Sequence, residues 1–427
     1  MAKDIIIIVI NAYLVCMMVF TMLYILRHYF VSLNRLFGRQ RLSHHDIIDD
    51  DFFYVTIIVP MHNEEKVIDG VLNSLRRCDY PHDRMEIIGL NDHSTDRTAE
   101  ILDGYVEKSR RDPNGWPVIT AFHRYQGPRG KQNALNDALE VAKGEIILVF
   151  DADYLPPRDI IRSLAANFKD PEVGAVMGRV IPINTKTNLL MRLEDLERTG
   201  GYQIDQQAKY NSGFIPLYGG TVGGFRKSAI LDLGGFVGNI LAEDTELTFR
   251  LIVNGWEIVY DNRAECYEES PESWEARAKQ IRRWSRGHNQ ILLTRLLPFL
   301  FSSKLSFRQK FDGTLVLFIY LLPLLWWISW FLLFVIWFID DIGFAQWLVP
   351  VAITLVHGSV GNFAPFFQIG IGSLLDGSSR RVLLLPYFLY YFSFSLWFTS
   401  LGALQAFVDV VTRRAVTWQK TERIRAT

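Results

Sequence analysis

The stretch Gly144-Glu-Ile-Ile-Leu-Val-Phe-Asp-Ala-Asp-Tyr-Leu-Pro-Pro157 is a short apolar run that ends in two carboxylates one residue apart, Asp151 and Asp153. Its length and the Pro-Pro that follows predict a buried strand. In an open α/β sheet, ligands bind just beyond the carboxyl ends of the strands. We therefore expect the Asp-x-Asp pair to hold a divalent cation together with phosphate oxygens, which are the ligands that Mg²⁺ prefers.

The composition is typical of a membrane protein with a soluble middle. Apolar residues make up 49% of the 427 residues, and aromatic residues crowd into the last third, where apolar runs are long enough to cross a bilayer. The formal net charge of -1 gives no basic field, so no nucleic-acid partner is expected. The 3 cysteines lack metal-ligand spacing, which favours buried or lipid-facing thiols in a reducing compartment.

The chain begins with an apolar run from Ile5 to Leu26 that has the length of a membrane-spanning helix. The basic start and small-residue cleavage site of a signal peptide are both missing from it. Arg27, Arg35 and other basic residues follow directly, so the positive-inside rule predicts that the next segment is cytoplasmic. We expect a transmembrane helix over residues 1–34 and a linker over 35–51, in a plasma or inner membrane.

Short apolar runs then alternate with helical segments. Strands are predicted over 54–59, 85–90, 118–122, 145–150 and 173–178, and helices over 64–77, 94–110 and 131–142. Strands spaced by helices favour a mostly parallel, doubly wound sheet with right-handed crossovers. The sequence therefore predicts an α/β domain over residues 52–290, inserted between α-helical transmembrane segments.

Polar residues follow the predicted strand ends. Asn63 and Glu64 come after the first strand, and Asp92 and Asp96 after the second, where Ser94 or Thr95 could cap the next helix. Turn and N-cap roles explain these acids as well as ligand binding does, but Asp92 and Asp151 both end parallel strands at one edge of the sheet. Lys131 follows a flexible turn, where it either begins a solvated helix or supplies charge to a pyrophosphate.

The second half of the domain contains three further candidate segments. The glycine-rich stretch from Tyr218 to Arg226 allows close backbone approach to a ligand or a tight turn between strands. Glu243 and Asp244 begin a helix, where Asp244 is either an N-cap or a catalytic base. Gln280 and Trp284 lie four residues apart on one helix and share a face.

A helix predicted over 188–209 packs either on the sheet or along the bilayer surface.

The remaining chain is apolar and interrupted by charges. Residues 291–312 have the composition of an interfacial helix, and 313–412 of transmembrane helices with spans over 315–339, 344–375 and 382–411. The basic tail, 413–427, favours the cytoplasmic side, although three complete spans would place it outside. We favour an even number of crossings, with the broken 344–375 segment re-entrant or split.

Five motifs in this order resemble those of the processive membrane glycosyltransferases of family 2, the synthases of cellulose, chitin, hyaluronan and poly-N-acetylglucosamine. The motifs are Pro60-x-x-Asn63-Glu64, Asn91-Asp92-x-Ser94-x-Asp96, Asp151-x-Asp153, Glu243-Asp244 and Gln280-x-x-Arg283-Trp284. The resemblance covers residues 50–290 and implies a GT-A-like fold. Asn91, Ala242 and Ile281 depart from the usual residues at their positions, but none of them removes a group with an expected role.

The resemblance implies a role for each motif residue. Asp92 is expected to read the base of a nucleotide sugar and Asp151 to bind the nucleotide. Asp153, with Asp151, is expected to hold Mg²⁺ or Mn²⁺ on the diphosphate, and Asp244 to be the general base. The other implied roles are donor binding by Asn63, Glu64, Lys131, Gln280, Arg283 and Trp284, acceptor binding by Gly220, Thr221, Glu243 and Trp284, and gating by Trp418, Thr421 and Arg423.

These roles predict an inverting membrane glycosyltransferase that polymerises sugar from a nucleotide-sugar donor, expected to be a UDP-sugar, into a β-linked glycan and passes it across the membrane. Its expected partners are the donor, the glycan acceptor, the lipid bilayer and an accessory subunit or a second copy of the chain. One alternative is a non-processive transferase that adds one sugar to a lipid. Another is a non-catalytic scaffold subunit, which would be expected to have lost an acidic position, whereas this chain has lost none.

Overall fold

The computed structural model of the protein describes residues 2–41, 51–238, 240–339 and 362–412. One seven-stranded sheet lies at the centre of the α/β domain, with strand order β3-β2-β1-β4-β6-β5-β7. The strands are β1 (Val55–Met61), β2 (Met85–Asp92), β3 (Val118–Arg124), β4 (Ile146–Val149), β5 (Val173–Pro182), β6 (Gly223–Arg226) and β7 (Glu257–Glu268). All residues of β2 and β4 are buried, which agrees with the continuous apolar run of β4, whereas β2 also buries Glu86, Asn91 and Asp92.

The sheet is mostly parallel, which confirms the predicted fold class. Strands β1, β2, β3 and β4 pair in parallel, as do β5 and β7, whereas β6 runs antiparallel to both β4 and β5. The glycines of β6 permit this insertion, because a Cβ atom at Gly224 would lie only 2.0 Å from the carbonyl oxygen of Ile147. Part of the predicted glycine-rich stretch is therefore a strand in close contact with its neighbour.

The helices of the first half are α1 (Ala2–Phe37), α2 (Ile68–Arg76), α3 (Thr98–Arg111), α4 (Lys131–Val141) and α5 (Ile160–Ala166). Helix α3 begins later than predicted, and neither Ser94 nor Thr95 caps it. Instead, Ser94 Oγ accepts a hydrogen bond from the backbone N–H of Asn63, and Asn63 Oδ1 accepts one from the N–H of Thr95. The two side chains are used to join the loops after β1 and β2.

The helix predicted over 188–209 consists of α6 (Leu189–Arg198), a π-helix (Thr199–Gln206) and α7 (Gln207–Asn211). The side chain of Asn188 caps α6 by accepting from the N–H of Met191. The apolar face of α6 packs on the C-terminal apolar helices, in a cluster of Leu190, Leu193, Leu196, Ile369, Phe388 and Tyr391. Leu189, although apolar and in the same helix, is exposed.

The second half continues with α8 (Lys227–Asp232), α9 (Glu243–Val253) and α10 (Trp274–Phe301). Helix α10 runs past the predicted boundary at residue 290, so the prediction of a separate interfacial helix over 291–312 is wrong. The helix continues because Ile291, Leu292 and Phe299 are buried, and Phe299 packs edge-on against Phe249 of α9. It ends before Ser306, which begins α11 (Phe307–Phe318) with a capping box.

The remaining described elements are α12 (Leu322–Ile339), α13 (Asn362–Leu375), a 3₁₀-helix (Ser379–Leu384) and α14 (Leu385–Thr412). The span predicted over 315–339 is bent, because α11 and α12 meet at 66° across residues 319–321. Within the described residues, Lys3–Phe37 and Ser379–Thr412 are long and apolar enough to cross a membrane, and the bent pair would be a third candidate. Residues 344–361 of the predicted broken segment lie outside the described residues.

Helices α10 and α14 pack side by side in the same direction. Ser285 Oγ donates to the carbonyl oxygen of Thr399 at 2.6 Å, and Arg286 forms a two-bonded ion pair with Asp409 at 2.5 and 2.8 Å. A Cβ atom at Gly402 would lie 2.6 Å from the carbonyl oxygen of Arg282, so glycine allows this close approach. The end of α14 thus lies beside α10. The predicted gating residues Trp418, Thr421 and Arg423 follow it, outside the described residues.

Candidate active site

Lys131 joins two of the predicted motifs. Its Nζ atom donates to Asp151 Oδ1 at 2.6 Å and to the carbonyl oxygen of Gly220 at 2.9 Å. Burial alone would lower the pKa of Lys131, but Asp151 and Glu243 outweigh it and hold the pKa above that of an ordinary lysine. Lys131 is therefore a half-buried, charged counter-ion between the end of β4 and the glycine-rich loop, and the solvated-helix interpretation is wrong.

The glycine-rich loop separates Asp151 from Asp244. Gly220 has a φ of 72°, and a Cβ atom there would lie 3.2 Å from Asp244 Oδ2, so both its conformation and its neighbour require glycine. On the other side, the backbone N–H of Asp151 donates to Thr221 Oγ1 at 3.1 Å. Gly220 and Thr221 thus lie between the expected nucleotide-binding carboxylate and the expected base.

Asp244 lies in the first turn of α9 rather than at its N-cap. The helix begins at Glu243 with Ala242 as the cap residue, which makes no side-chain hydrogen bond, and Asp244 Oδ1 accepts from the N–H of Thr245 at 2.6 Å. Burial raises the pKa of Asp244, and burial with the Asp244 charge raises that of Glu243 to about 7. Lys131 and Arg283 oppose both shifts, so Arg283 of α10 acts electrostatically on this pair.

Asp92 shapes the turn that precedes Lys131. Its Oδ1 atom accepts from Arg124 Nη1 at 2.5 Å, and its Oδ2 accepts from the N–H of Gly130 at 3.2 Å. Arg124 in turn donates to the carbonyl oxygen of Pro128 at 3.1 Å. Recognition of the donor base by Asp92 stays a prediction. Arg124 was missed because the third strand was predicted to end at residue 122, so its side chain was not placed at the sheet edge.

The loop that carries Asn63 and Glu64 is held close to the loop after β2. Asn63 is in the left-handed region with a φ of 56°, and Glu64 N–H donates to Thr98 Oγ1 at 2.8 Å. The N–H of Glu65 donates to Asp96 Oδ2 at 3.1 Å. These contacts give Asn63 and Asp96 a clear role in fixing the two loops, while donor binding by Asn63 and Glu64 stays a prediction.

Trp284 lies against two arginines that the sequence did not single out. The guanidinium carbons of Arg277 and Arg198 are 5.0 and 5.4 Å from the centre of a Trp284 ring, within the range of cation–π contact. Gln280 is buried, and its Oε1 accepts from Arg277 Nη1 at 2.5 Å. Gln280 and Trp284 thus share the helix face that was predicted, and both contact the same guanidinium group.

Arg277 connects α10 with α6 and α14. Its side chain is 1% exposed, its Nε lies 3.3 Å from Glu194 Oε1, and its Nη2 pairs with Glu197. Tyr391 of α14 donates to Glu197 Oε2 at 2.5 Å, and the guanidinium group lies over the Tyr391 ring. The signal that could have found Arg277 is its i, i+3 spacing to Gln280.

Arg198 connects Trp284 with the strand end that contains Asp153. It pairs with Glu268 Oε1 at 2.6 Å, and Glu268 Oε2 accepts from the hydroxyl of Tyr154 at 2.6 Å. Tyr154 follows Asp153 directly in sequence. The Trp284 contacts are therefore tied to the Asp-x-Asp segment through a chain of two buried polar links.

Asp151 and Asp153 fit a cation that takes its other ligands from a substrate. The part of the chain described by the structure contains no group of three His, Cys, Asp or Glu side chains able to hold a metal by itself. A Mg²⁺ ion bound through one or two carboxylates and substrate phosphates needs no such group. Just beyond the end of β4, the side chain of Asp153 is buried and that of Asp151 is partly exposed, so a cation between them would be reached from the side of Asp151.

Together, a mostly parallel sheet with acidic strand ends, a partly buried carboxylate pair and a tryptophan on an adjoining helix agree with the glycosyltransferase site that the motifs predict. The chain matches the glycosyl transferase family 2 profile over residues 56–234 and the glycosyl transferase family group 2 profile over residues 146–358. It is 30% identical over 373 residues to the probable glycosyltransferase YdaM of Bacillus subtilis (strain 168), covering 86% of each chain. The chain therefore belongs to glycosyl transferase family 2 and is an enzyme.

Two further comparisons agree with this membership. The chain is 30% identical over 249 residues to poly-β-1,6-N-acetyl-D-glucosamine synthase of Staphylococcus aureus (strain COL), covering 58% of each chain. Its structure resembles that of mannosyltransferase PcManGT from Pyrobaculum calidifontis with a TM-score of 0.62 at 20% identity, covering 95% of this chain and 99% of that one. At this identity the likeness shows a common fold, which confirms the predicted GT-A-like architecture.

Proposed function

We propose that this glycosyltransferase polymerises sugar units from a nucleotide-sugar donor, most simply a UDP-sugar, into a β-linked glycan that leaves through the apolar helices. The observation that carries the proposal is the Lys131–Gly220 contact, which joins the Asp-x-Asp strand end to the loop beside Asp244. The group proposed to hold the donor and the group proposed to activate the acceptor are thereby adjacent. The identity to a poly-N-acetylglucosamine synthase supports polymer formation.

Asp244 is the proposed general base. Transfer forms a bond between the acceptor oxygen and the anomeric carbon while the bond from that carbon to the diphosphate breaks, and the acceptor proton passes to a carboxylate on the opposite face. Burial raises the pKa of Asp244, which makes its carboxylate a better proton acceptor than an exposed one. Attack from the face opposite the leaving group inverts the anomeric carbon, so an α-linked donor gives a β-linked product.

Lys131 and Arg283 are the proposed partners of the developing negative charge. Lys131 is pre-positioned by Asp151 and by the Gly220 carbonyl, and Arg283 acts on the carboxylate pair from α10. Fixed cations at a site shielded from water stabilise charge more strongly than mobile ones in solution. Mg²⁺ or Mn²⁺ held by Asp153 and Asp151 would neutralise the diphosphate as it leaves.

Trp284 is the proposed platform for the acceptor sugar. Its ring is fixed by Arg277 and Arg198, and Arg277 also contacts Tyr391 of α14. An acceptor bound at Trp284 would thus lie where the α/β domain meets the second candidate span. This position supports passage of the growing glycan toward the membrane, with the catalytic domain on the cytoplasmic side.

The test is to incubate the purified full-length protein with radiolabelled UDP-N-acetylglucosamine, UDP-glucose or GDP-mannose plus Mn²⁺ and to size the product. We expect a ladder or a polymer from one donor, with UDP-N-acetylglucosamine tried first because of the synthase relative. If the product is instead a single sugar attached to a lipid, the proposal is wrong and the protein is the non-processive transferase of the alternative. No transfer from any donor under conditions that support donor binding would favour the scaffold alternative.

A further inference from the structure

A polar cavity of about 550 Å³ is lined in part by Arg198, which also lies over the Trp284 ring, and its lining contains neither Lys131 nor the residues that Lys131 contacts. Its volume falls in the range of small-molecule binding sites. The wall is mostly charged or polar, with a smaller apolar part. The lining residues are Arg179, Val180, Ile181, Pro182, Asp195, Arg198, Thr199, Gln203, Asn262, Arg263, Glu265, Leu375, Asp376 and Arg381.

Irregular backbone in three separate elements forms this cavity. Thr199 and Gln203 come from the π-helix, a rare conformation that is frequent at functional sites. The pairing of β5 with β7 jumps from Gly178–Asp261 to Arg179–Glu265, which leaves residues 262–264 looped out toward the cavity. The third element is the segment after α13, where a turn supplies Asp376 and the following 3₁₀-helix supplies Arg381. Because three irregular segments meet at this cavity, we regard it as a specific feature of the fold and not as a chance gap in the packing.

Two of the lining arginines are held very differently. Arg179 donates to Asp376 Oδ1 at 2.7 Å and to Glu265 Oε1 at 3.1 Å, which fixes its guanidinium group. Arg381 Nη1 lies 3.2 Å from Asp195 and 3.5 Å from Asp376, longer than the ~2.7–2.9 Å of a charge-assisted hydrogen bond. Arg381 is also 31% exposed. It can therefore turn toward a ligand without losing a strong bond, while Arg179 stays in place.

The cavity lies where the ends of the two candidate membrane spans meet. Gln203 accepts from Arg35 Nη2 at 3.0 Å and donates to Asp376 Oδ1 at 2.7 Å. Arg35 is in the last turn of α1, and Asp376 comes three residues before the candidate span Ser379–Thr412. One side chain thus connects the two span ends, so the cavity lies beside both of them.

We propose that this cavity binds the phosphate group of an anionic membrane phospholipid, with Arg381 as the adjustable contact and Arg179 as the fixed wall. Four arginines and three carboxylates line it, so the lining has an excess of one positive charge. Guanidinium groups match phosphate oxygens in planar, two-bonded geometry. Basic pockets between membrane helices at the cytoplasmic face bind lipid headgroups in this way. The inference is independent of the proposed polymerase activity.

The experiment uses the purified, delipidated full-length protein in detergent. Phosphatidylglycerol or phosphatidylcholine is titrated, and bound lipid is counted by native mass spectrometry. We expect selective retention of phosphatidylglycerol, and at least a tenfold loss of that affinity in Arg381→Ala, because a charge-assisted contact to phosphate is lost. The matched control is Arg380→Ala, which removes the same charge from the neighbouring, exposed residue outside the cavity lining.

Three outcomes would overturn the proposal. Equal losses in Arg380→Ala and Arg381→Ala would show general attraction to a basic surface. Equal retention of the two lipids would show no recognition of an anionic headgroup. Inorganic phosphate that displaces phosphatidylglycerol and binds with similar affinity would make the cavity a site for a free anion. If Arg381→Ala does not fold, Leu375→Trp fills the cavity without breaking an ion pair and should abolish selective retention.

Discussion

The donor half and the acceptor half of the active site are constructed by different means. The donor half, centred on Lys131 and Asp151, lies where strands and loops of one sheet end, and its contacts are made within the α/β domain. The acceptor half, centred on Trp284, depends on Arg277, which touches α6, α10 and α14 together. The donor half is formed by the sheet and its loops alone. The acceptor half is formed only where the α/β domain packs against the apolar helices.

This difference predicts different responses to mutation. A change in the donor half should alter chemistry or donor affinity while leaving the packing of the helices intact. A change in the acceptor half should alter acceptor affinity and stability together, because its cations also hold elements to one another. The four predictions below test that division, in order of decreasing effect.

Asp244→Asn should give the largest effect. Removing the proposed base should lower the transfer rate by about 10²- to 10⁴-fold while nucleotide binding stays near that of the wild type. Transfer is measured with radiolabelled donor, and binding by calorimetry with UDP. Glu243→Gln, one residue earlier in the same helix, is the control and should retain more activity. Loss of nucleotide binding in Asp244→Asn would instead place Asp244 in the donor half.

Arg277→Met should give the second-largest effect, a loss of both stability and acceptor affinity. It leaves Glu194 buried without its cation, and losing one partner of a buried pair costs about 3–5 kcal/mol. Because Glu197 is partly exposed, we expect a value near the lower end, together with a higher KM for acceptor and an unchanged KM for donor. Thermal unfolding in detergent and initial rates measure the two effects. Lys279→Met, exposed on the same helix, should change neither.

Lys131→Met should move the pH dependence of transfer. In the wild type we expect the rate to rise with pH as the Glu243–Asp244 pair loses its proton, with Glu243 near pH 7. Lys131 lowers the pKa of both carboxyl groups, so its removal raises them and shifts the curve to higher pH. Lys143→Met, an exposed lysine two residues beyond the end of α4, is the control. A shift to lower pH would contradict the assigned coupling.

The Arg286–Asp409 pair should give the smallest effect. A double-mutant cycle with Arg286→Ala and Asp409→Ala should show a coupling energy of about 1 kcal/mol, because this two-bonded pair is only partly shielded from water. Denaturant unfolding in detergent measures it. Additive single mutations would mean that α10 and α14 do not depend on this contact, and would weaken the contrast between the two halves.

Part of the site could be predicted because parallel strands end at one edge of a sheet. Asp151, Lys131 and Asp244 were singled out from strand ends and helix starts, and the structure brings them around Gly220. Arg124 was not predicted as a site residue only because its strand is two residues longer than the sequence pattern suggested. The boundary at residue 290 was wrong because apolar packing against α9, invisible in the local composition, carries α10 onward to Phe301.

The sequence by itself determined the sheet, the order of the motifs and the apolar segments at both ends, because these follow from local periodicity and spacing. Only the tertiary structure decided what holds Trp284, since Arg198 and Arg277 belong to charged helices whose partners depend on how the domain meets α14. It also decided that α14 ends beside α10, through Arg286 and Asp409. Contacts between residues on separate elements, such as Arg198 with Trp284 and Arg286 with Asp409, leave no local pattern, so packing alone selects them.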